Sequence, residues 1–210
     1  MIESYSALPV GKYEEIIRIS RDTALEEVDR QARILAVLTG LSADDILHLP
    51  IQDYKGLVRR SRFLESEALG DPGNIRTAIA RTYKLRDFTL VPVTDFRKLT
   101  VAQYVDFQTF APTVDSNPAA MLSVLLVPKG KHYNEGYEID EVQNAIRDEL
   151  SLADAAAVLA FFLLSSRTSI EDSLNSSEKA LGGMKDKGKA EEIRTRMTKV
   201  RELLRTGGAG

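Results

Sequence analysis

The stretch Leu38–Leu64, LTGLSADDILHLPIQDYKGLVRRSRFL, decides the fold that this sequence predicts. Gly40 ends one helix, because glycine adopts the left-handed conformation of a helix C-terminus without strain. Ser42 and Asp45 then form the pattern of a capping box, in which a hydroxyl and a carboxylate three residues later bond the free N–H groups of a new helix. That helix is short and closes before Pro50, where a longer one follows. We therefore predict three helices with tight connections, packed as one unit.

Two helices are predicted before Gly40. The first lies within Leu8–Ser20, and Asp22 is placed to cap the second. The apolar residues of the second helix recur at the i, i+3, i+4, i+7 spacing of a single helix face. They are Leu25, Val28, Ala32, Leu35, Ala36 and Leu38. A similar stripe after Pro50 consists of Tyr54, Leu57, Val58, Ser61 and Leu64. Both helices are therefore expected to bury one face.

The pattern changes after a turn-rich segment at residues 65–74. Thr77–Leu85 and Phe88–Val93 are rich in β-branched and aromatic residues and are separated by two polar residues, which predicts a β-hairpin. Pro92 places the second strand at a sheet edge or ends it there, because proline has no N–H group to donate. A hairpin alone is marginally stable in water, so this one must pack against helices.

Two further helices follow the hairpin. Thr100 is a hydroxyl N-cap for the helix VAQYVDFQTFA. Its predicted apolar face consists of Val101, Tyr104, Val105 and either Phe107 or Gln108. Asn117 caps the next helix, whose body Ala119–Val127 is almost entirely apolar and is therefore predicted to be buried.

Two capped helices and a basic segment complete the chain. Asp140 caps a helix over Glu141–Leu150, and Ser151 opens an apolar helix through Leu164 with a second capping box. A pair of glycines then forms a hinge before an amphipathic segment with an excess of basic residues.

These elements predict a mainly α protein with minor β content: a multi-helix domain with a small β-hairpin and a C-terminal helical arm. The predicted organisation is an N-terminal helical unit over residues 1–69, a hairpin plus helical core over residues 75–181, and an amphipathic basic helical arm over residues 184–206.

No residue pattern in the chain identifies a reaction. The absence of cysteine excludes disulfides, thiolate metal sites and cysteine catalysis, and two histidines are few for a metal cluster or a Ser-His-Asp triad. Neither the phosphate-loop motif Gly-x-x-x-x-Gly-Lys-Ser/Thr nor the dinucleotide-binding motif Gly-x-Gly-x-x-Gly is present. The longest apolar run, Ala155–Leu164, is far shorter than the roughly 20 residues of a membrane span. We therefore expect no enzyme, cofactor, metal site or membrane segment.

The charge pattern favours a protein partner. The chain carries a formal net charge of -3, which indicates no polyanionic partner. The predicted arm has the basic residues that nucleic-acid binding needs, but acidic residues interrupt them and aromatic residues are absent. An amphipathic helix of this kind is expected to bind a protein surface.

Two parts of the chain resemble proteins of tailed phages. Ile34–Leu64 resembles a region of bacteriophage tail assembly chaperones in which the pattern TGL…DI..LP..DY..L recurs. The matching positions are Thr39, Gly40, Leu41, Asp45, Ile46, Leu49, Pro50, Asp53, Tyr54 and Leu57. KLTVAQYVDFQTFA (residues 98–111) and LLVPKGKHYNEGYEIDEVQNAI (residues 125–146) resemble segments of structural-module proteins of tailed phages of Bacteroidetes, including crAss-like phages.

The resemblance implies a non-enzymatic protein of virion morphogenesis that acts in the host cytoplasm. A tail assembly chaperone coats the helical tape-measure protein until tube subunits replace it. The alternatives are a permanent virion component, such as a ring-forming part of the head–tail connector or tail, and a DNA-packaging accessory that uses the basic arm. The implied partners are tape-measure, tail or connector subunits and further copies of the chain; neither nucleic acid nor membrane is expected.

The predicted interaction residues fall into two groups. The first consists of aromatic residues near turns: Tyr104, Phe107, Tyr133 and Tyr137. The second lines one stripe of the arm: Ile193, Met197, Val200 and Leu204. Packing within the protein's own core is the competing interpretation for every one of them.

Overall fold

The computed structural model shows a mainly helical protein with a small three-stranded antiparallel sheet, which confirms the predicted fold class. The structure describes residues 1–65 and 79–162, together with Glu191, Thr195 and Thr198. Met1–Val93 and Lys98–Phe161 form one compact unit, while Thr94–Arg97 and Phe162–Gly210 are assigned to a second. Apart from those three single residues, the predicted arm lies outside the described residues. Residues 66–74 of the turn-rich segment also lie outside them.

The N-terminal part consists of α1 (Val10–Ser20), α2 (Glu27–Thr39), α3 (Ala43–Leu47) and α4 (Ile51–Ser61). A single 3-10 turn, Arg62–Glu65, follows α4. Helix α2 packs against α1, α3 and α4, so it is the centre of this group.

The signals within Leu38–Leu64 act as predicted. Gly40 is left-handed, with a φ of 79°, and ends α2. The N–H of Asp45 donates to the Ser42 hydroxyl over 3.0 Å, and the N–H of Ser42 donates to the Asp45 carboxylate over 3.2 Å, which completes the capping box of α3. The tight connections bring α2, α3 and α4 together over one buried cluster. Its members are Ala32, Leu35, Ile46 and Leu57.

The predicted start of α2 is wrong. Asp22 does not cap this helix, which begins at Glu27. The Asp22 carboxylate accepts instead from the N–H of Ala24 over 3.0 Å, in a turn. The guanidinium of Arg30 donates to the carbonyl oxygens of Asp22 and Leu25, at 3.1 and 2.8 Å, and so holds this turn outside the helix.

The predicted hairpin is confirmed, although its first strand is shorter than expected. β1 (Tyr83–Leu85) pairs with β2 (Phe88–Pro92), and β2 pairs with β3 (Leu126–Pro128). The hairpin packs on a helix as expected, because the N–H of Arg86 in its connection donates to the Glu149 carboxylate over 2.7 Å.

The third strand decides one prediction and corrects another. Of the two alternatives for Pro92, the second is observed: β2 ends at Pro92 and is the central strand of the sheet. The predicted helix over Ala119–Val127 stops at Leu125, and the backbone of Leu126 is extended. Pro128 explains the stop, because proline cannot donate a helical hydrogen bond and disfavours helix at the residue before it. Residues Leu126–Pro128 therefore leave the helix and form β3, which pairs with β2 of the hairpin.

The remaining helices are α5 (Val101–Phe110), α6 (Pro118–Leu125), α7 (Ile139–Glu149) and α8 over residues 152–162. Short 3-10 turns span Phe96–Lys98 and Ala111–Thr113. Helix α7 begins two residues earlier than predicted, so Asp140 lies in its first turn and is not its cap. Ser151 is the N-cap of α8, as predicted, with the N–H of Asp154 donating to the Ser151 hydroxyl over 3.1 Å.

Helix α6 lies at the centre of the compact unit. Every residue from Pro118 to Leu125 is buried, as predicted, and the helix contacts α1, α5 and α7. The carboxylate of Glu14 links α1 to both α6 and α7. It accepts from the N–H of Ala119 in α6 over 3.0 Å and from Arg147 Nε in α7 over 2.9 Å. Helices from both sides of residues 65–74 therefore pack together, while the predicted domain boundary itself stays a prediction.

Candidate protein-interaction surface

Helix α5 does not turn its predicted apolar face towards the core. Val101 is 83% exposed, Val105 55% and Tyr104 45%. Residues at i, i+3 and i+4 are neighbours on one helix face, so these three side chains form a continuous exposed strip. The predicted apolar face of α5 is therefore exposed at Val101, Tyr104 and Val105.

A buried polar residue explains this orientation. Gln103 is 4% exposed, and its amide oxygen accepts from the N–H of Thr100 over 3.1 Å in a capping box. Its amide N–H donates to the carbonyl of Val124 over 3.1 Å, near the end of α6. A continuing helix would satisfy that carbonyl with the N–H of residue 128, but Pro128 has none. The side chain of Gln103 therefore supplies a donor that α6 lacks, and it faces inward to do so.

A second tether fixes the same face one turn later. The hydroxyl of Tyr133 donates to the Asp106 carboxylate over 2.7 Å. Tyr133 is only 7% exposed, and its burial, together with the hydrogen bond to that carboxylate, raises the pKa of the phenol. Tyr133 therefore stays protonated at neutral pH and keeps donating. Gln103 and Asp106 together hold one side of α5, which also contains the half-buried Phe107, against the protein.

The outward side of α5 consequently carries no charge. Asp106 is the one charged residue in the helix, and it faces Tyr133. The exposed residues are Val101, Ala102, Tyr104, Val105, Gln108 and Thr109. We call this set the α5 face. Exposed apolar side chains grouped on one element are typical of surfaces that bind proteins.

Three lysines surround a hollow near the N-terminal end of α5, on the side of the buried Gln103. A hollow of about 300 Å³ is bordered by Thr100 and Gln103 of α5 and by the turn after β3. Lys98, Lys129 and Lys131 line it, and among its described lining residues there is no acidic side chain. A neighbouring hollow of about 420 Å³ also contains Lys129 and Lys131. These two lysines therefore stand between two surface depressions.

The turn that carries these lysines depends on two glycines. The N–H of Lys129 donates to the carbonyl of Thr89 over 2.8 Å, which extends the pairing of the sheet. Gly130 follows with a φ of 77°, a left-handed conformation that other residues adopt only with strain. Gly136 is also left-handed, and a Cβ there would lie 3.1 Å from Lys131 Nζ. Gly136 therefore leaves the room in which the Lys131 side chain lies.

The four aromatic residues predicted for interaction fall in this region, in different roles. Tyr104 belongs to the α5 face, and Phe107 is half-buried on the opposite side of the helix. Tyr133 is a buried tether, and Tyr137 is half-buried, with its hydroxyl accepting from the N–H of Asn134 over 3.2 Å. Their role in binding stays a prediction. The other predicted residues, Ile193, Met197, Val200 and Leu204, lie outside the described residues.

Sequence reasoning missed the outward position of Val101 and Val105 and the group of lysines around the hollow near the N-terminal end of α5. The sequence contains one signal for the outward position of the two valines. Thr100 and Gln103 form a Thr-x-x-Gln capping box, in which the glutamine side chain turns back to the helix start. That geometry fixes which side of the first turn can face water. The lysines are distant in sequence, so no local pattern joins them.

Among residues 1–65 and 79–162, no cluster of three or more His, Asp or Glu could hold a metal ion, and no helix is long and apolar enough to cross a membrane. A hollow of about 820 Å³ beside α1 contains both signs of charge, and two of its members, Glu14 and Arg147, bond each other.

No protein-family model, curated protein or solved structure matches this chain.

Proposed function

We propose that the protein is a non-enzymatic factor of phage morphogenesis: a tail assembly chaperone that binds a tail or tape-measure protein in the host cytoplasm. The α5 face is the observation that carries this proposal. A chaperone needs apolar surface exposed to water before its client arrives, and Val101 and Val105 provide it.

The size and rigidity of the surface suit a client that must later be displaced. The α5 face spans about three turns of one helix, so a complex that uses it buries little area, which is typical of weak and transient contacts. The bonds of Gln103 and Tyr133 fix the helix before the client binds. Such preorganisation lowers the entropic cost of association and keeps binding specific.

The alternative is a permanent virion component, such as a ring-forming subunit of the head–tail connector or tail. The same exposed strip favours it, because an apolar face can also join copies of a subunit. A DNA-packaging accessory would use the basic residues of the arm and predicts DNA binding that weakens steeply with salt.

Quantitative mass spectrometry of purified particles and of the infected-cell lysate tests the proposal. A chaperone is abundant in the lysate and absent from particles. A fixed copy number per particle would instead establish a virion building block and overturn the chaperone assignment. Absence of DNA binding at low salt would exclude the DNA-packaging role.

A further inference from the structure

The hollow near the N-terminal end of α5 combines a concentration of positive charge with a turn of fixed backbone. We infer that it binds the phosphate groups of a small organic phosphate of the nucleotide class, and that the neighbouring hollow accepts the organic part of this ligand. The inference goes beyond the proposed function, since no residue of the α5 face lines either hollow.

The first hollow is basic in a chain whose acidic residues outnumber its lysines and arginines by 31 to 28. Lys98, Lys129 and Lys131 line it, and no acidic side chain does among the residues described there. All three lysines are exposed, and none of the ion pairs between described residues involves them. A multiply charged anion in this hollow would therefore meet three cations at once.

The start of α5 adds two features that favour an anion in the same place. Thr100 also lines the hollow, and its hydroxyl oxygen accepts from the N–H of Gln103 over 3.2 Å. That bond does not use the hydroxyl hydrogen, which can be donated to an oxygen of a ligand. Thr100 is also the N-cap of α5, where the helix dipole contributes a partial positive charge.

The turn after β3 fixes the backbone of two lysines before any ligand binds. The N–H of Lys129 bonds the neighbouring strand β2 over 2.8 Å, and the N–H of Lys131 donates to the carbonyl of Pro128 over 3.0 Å. Gly130 lies between them with a φ of 77°. The Lys131 side chain lies against Gly136, where a Cβ would be 3.1 Å from Nζ. Such preorganisation lowers the entropic cost of binding.

The residue types favour a phosphate over a carboxylate. The planar guanidinium of arginine matches a carboxylate best, whereas lysine binds phosphate as a compact point charge. Among its described lining residues, the first hollow has three lysines and no arginine. Three positive charges also attract a diphosphate or triphosphate more strongly than a single carboxylate. The volume of about 300 Å³ lies at the lower end of the range for small-molecule sites.

The second hollow has a different lining that suits the organic part of the ligand. It adjoins the first at Lys129 and Lys131. Phe88 and Tyr137, both half-buried, line it, and aromatic rings offer a surface on which a nucleobase can stack. Asp87 also lines it, and its carboxylate repels phosphate but accepts hydrogen bonds from hydroxyl or amino groups. The phosphates are therefore expected in the first hollow and the base in the second.

Isothermal titration calorimetry of the full chain in magnesium-free buffer tests the inference with adenosine triphosphate (ATP), inorganic triphosphate and adenosine. We expect saturable binding of ATP and of triphosphate and no binding of adenosine, because the phosphates meet the lysines. ATP should bind at least about fivefold more tightly than triphosphate, because its base stacks in the second hollow. Absence of saturable binding by ATP and triphosphate would overturn the inference, and equal affinities would overturn the role of the second hollow.

Matched variants locate the phosphate site. Lys129→Gln with Lys131→Gln should weaken ATP binding by at least about tenfold and reduce its salt dependence, because two charged donors are lost. Lys55→Gln with Arg59→Gln removes the same charge from exposed positions of α4 and should leave binding unchanged. All four side chains are exposed, so both double variants should melt close to the native chain. Equal effects of the two pairs on binding would refute the location.

The variant Tyr137→Leu separates the two hollows. It removes an aromatic ring of the second hollow and leaves the three lysines in place. We expect the affinity for ATP to fall towards that for triphosphate, while triphosphate binding stays unchanged. An equal loss for both probes would refute the placement of the base.

A polymer of nucleotides is the competing occupant. Tighter binding of oligothymidine, per strand, than of ATP would assign the lysines to single-stranded nucleic acid and overturn the small-ligand inference. Binding of ATP no more tightly than oligothymidine is excluded by the inference for the same reason. The particle measurement is independent, because a fixed virion copy number overturns the chaperone role alone and absence of ATP binding overturns this inference alone.

Discussion

Helices α5 and α6 follow each other in the chain and are both rich in apolar residues, yet α6 is buried and α5 is largely exposed to solvent. All residues of α6 from Pro118 to Leu125 are buried, whereas Gln103 is the one fully buried residue of α5. Helix α6 is apolar on every side, so any packing buries apolar surface. Helix α5 has polar and apolar residues on both sides, and the hydrogen bonds of Gln103 and Asp106 hold one of these sides against the protein, which leaves Val101 and Val105 exposed. Apolar content predicts burial only where no polar anchor competes.

The sharpest way to break this comparison is to truncate one side chain in each helix. Leu122→Ala in α6 removes a side chain that is 0% exposed, and we expect the free energy of unfolding to fall by about 2–5 kcal/mol, because a cavity remains. Val101→Ala in α5 should change it by no more than about 0.5 kcal/mol. Urea denaturation measures both. A loss for Val101→Ala as large as for Leu122→Ala would show that α5 packs the other way round.

The anchor itself is tested by Gln103→Ala. This change leaves the carbonyl of Val124 and the N–H of Thr100 without their side-chain partner, and we expect the free energy of unfolding to fall by about 1–3 kcal/mol. The control is Gln108→Ala, which removes the same chemical group from the exposed side and should be nearly neutral. Equal values from urea denaturation would mean that Gln103 does not orient the helix.

The second tether is weaker. Tyr133→Phe removes the hydroxyl that donates to Asp106, and we expect a loss of about 1 kcal/mol, because the half-buried carboxylate can still reach water. Tyr54→Phe removes the same group from a half-buried tyrosine of α4 and is the matched comparison, with an expected change below about 0.5 kcal/mol. Thermal unfolding of both variants at pH 7 distinguishes them.

The smallest expected effect is a pH dependence of the same tether. In the unfolded chain Tyr133 ionises near its ordinary pKa of 10.0, while folding raises this pKa. Above pH 10 the folded state therefore binds more protons than the unfolded state, so the free energy of unfolding falls as the pH rises. Tyr133→Phe lacks this contribution. The stability difference between the native chain and the variant should shrink above pH 10, and a constant difference up to pH 11 would contradict the shifted pKa.

The local features of the fold were predictable because their causes are local. Gly40, Ser42 and Asp45 form their helix end and capping box from neighbouring backbone groups, so the sequence specifies them directly. The hairpin is equally local, since two strands are joined by two residues. The start of α2 was wrong because Arg30 reaches back to the carbonyl groups of the preceding turn, a contact that no spacing rule contains.

By itself, the sequence determined the helical class, the caps at Ser42, Thr100, Asn117 and Ser151, the hairpin and the burial of α6, because each follows from hydrogen bonds or apolar periodicity within a few residues. Only the tertiary structure decided that β3 completes the sheet and that α5 exposes Val101 and Val105. The physical reason is the same in both cases. Backbone and side-chain polar groups that one element leaves unsatisfied find partners in a distant one: Leu126–Pro128 in β2, and the carbonyl of Val124 in Gln103.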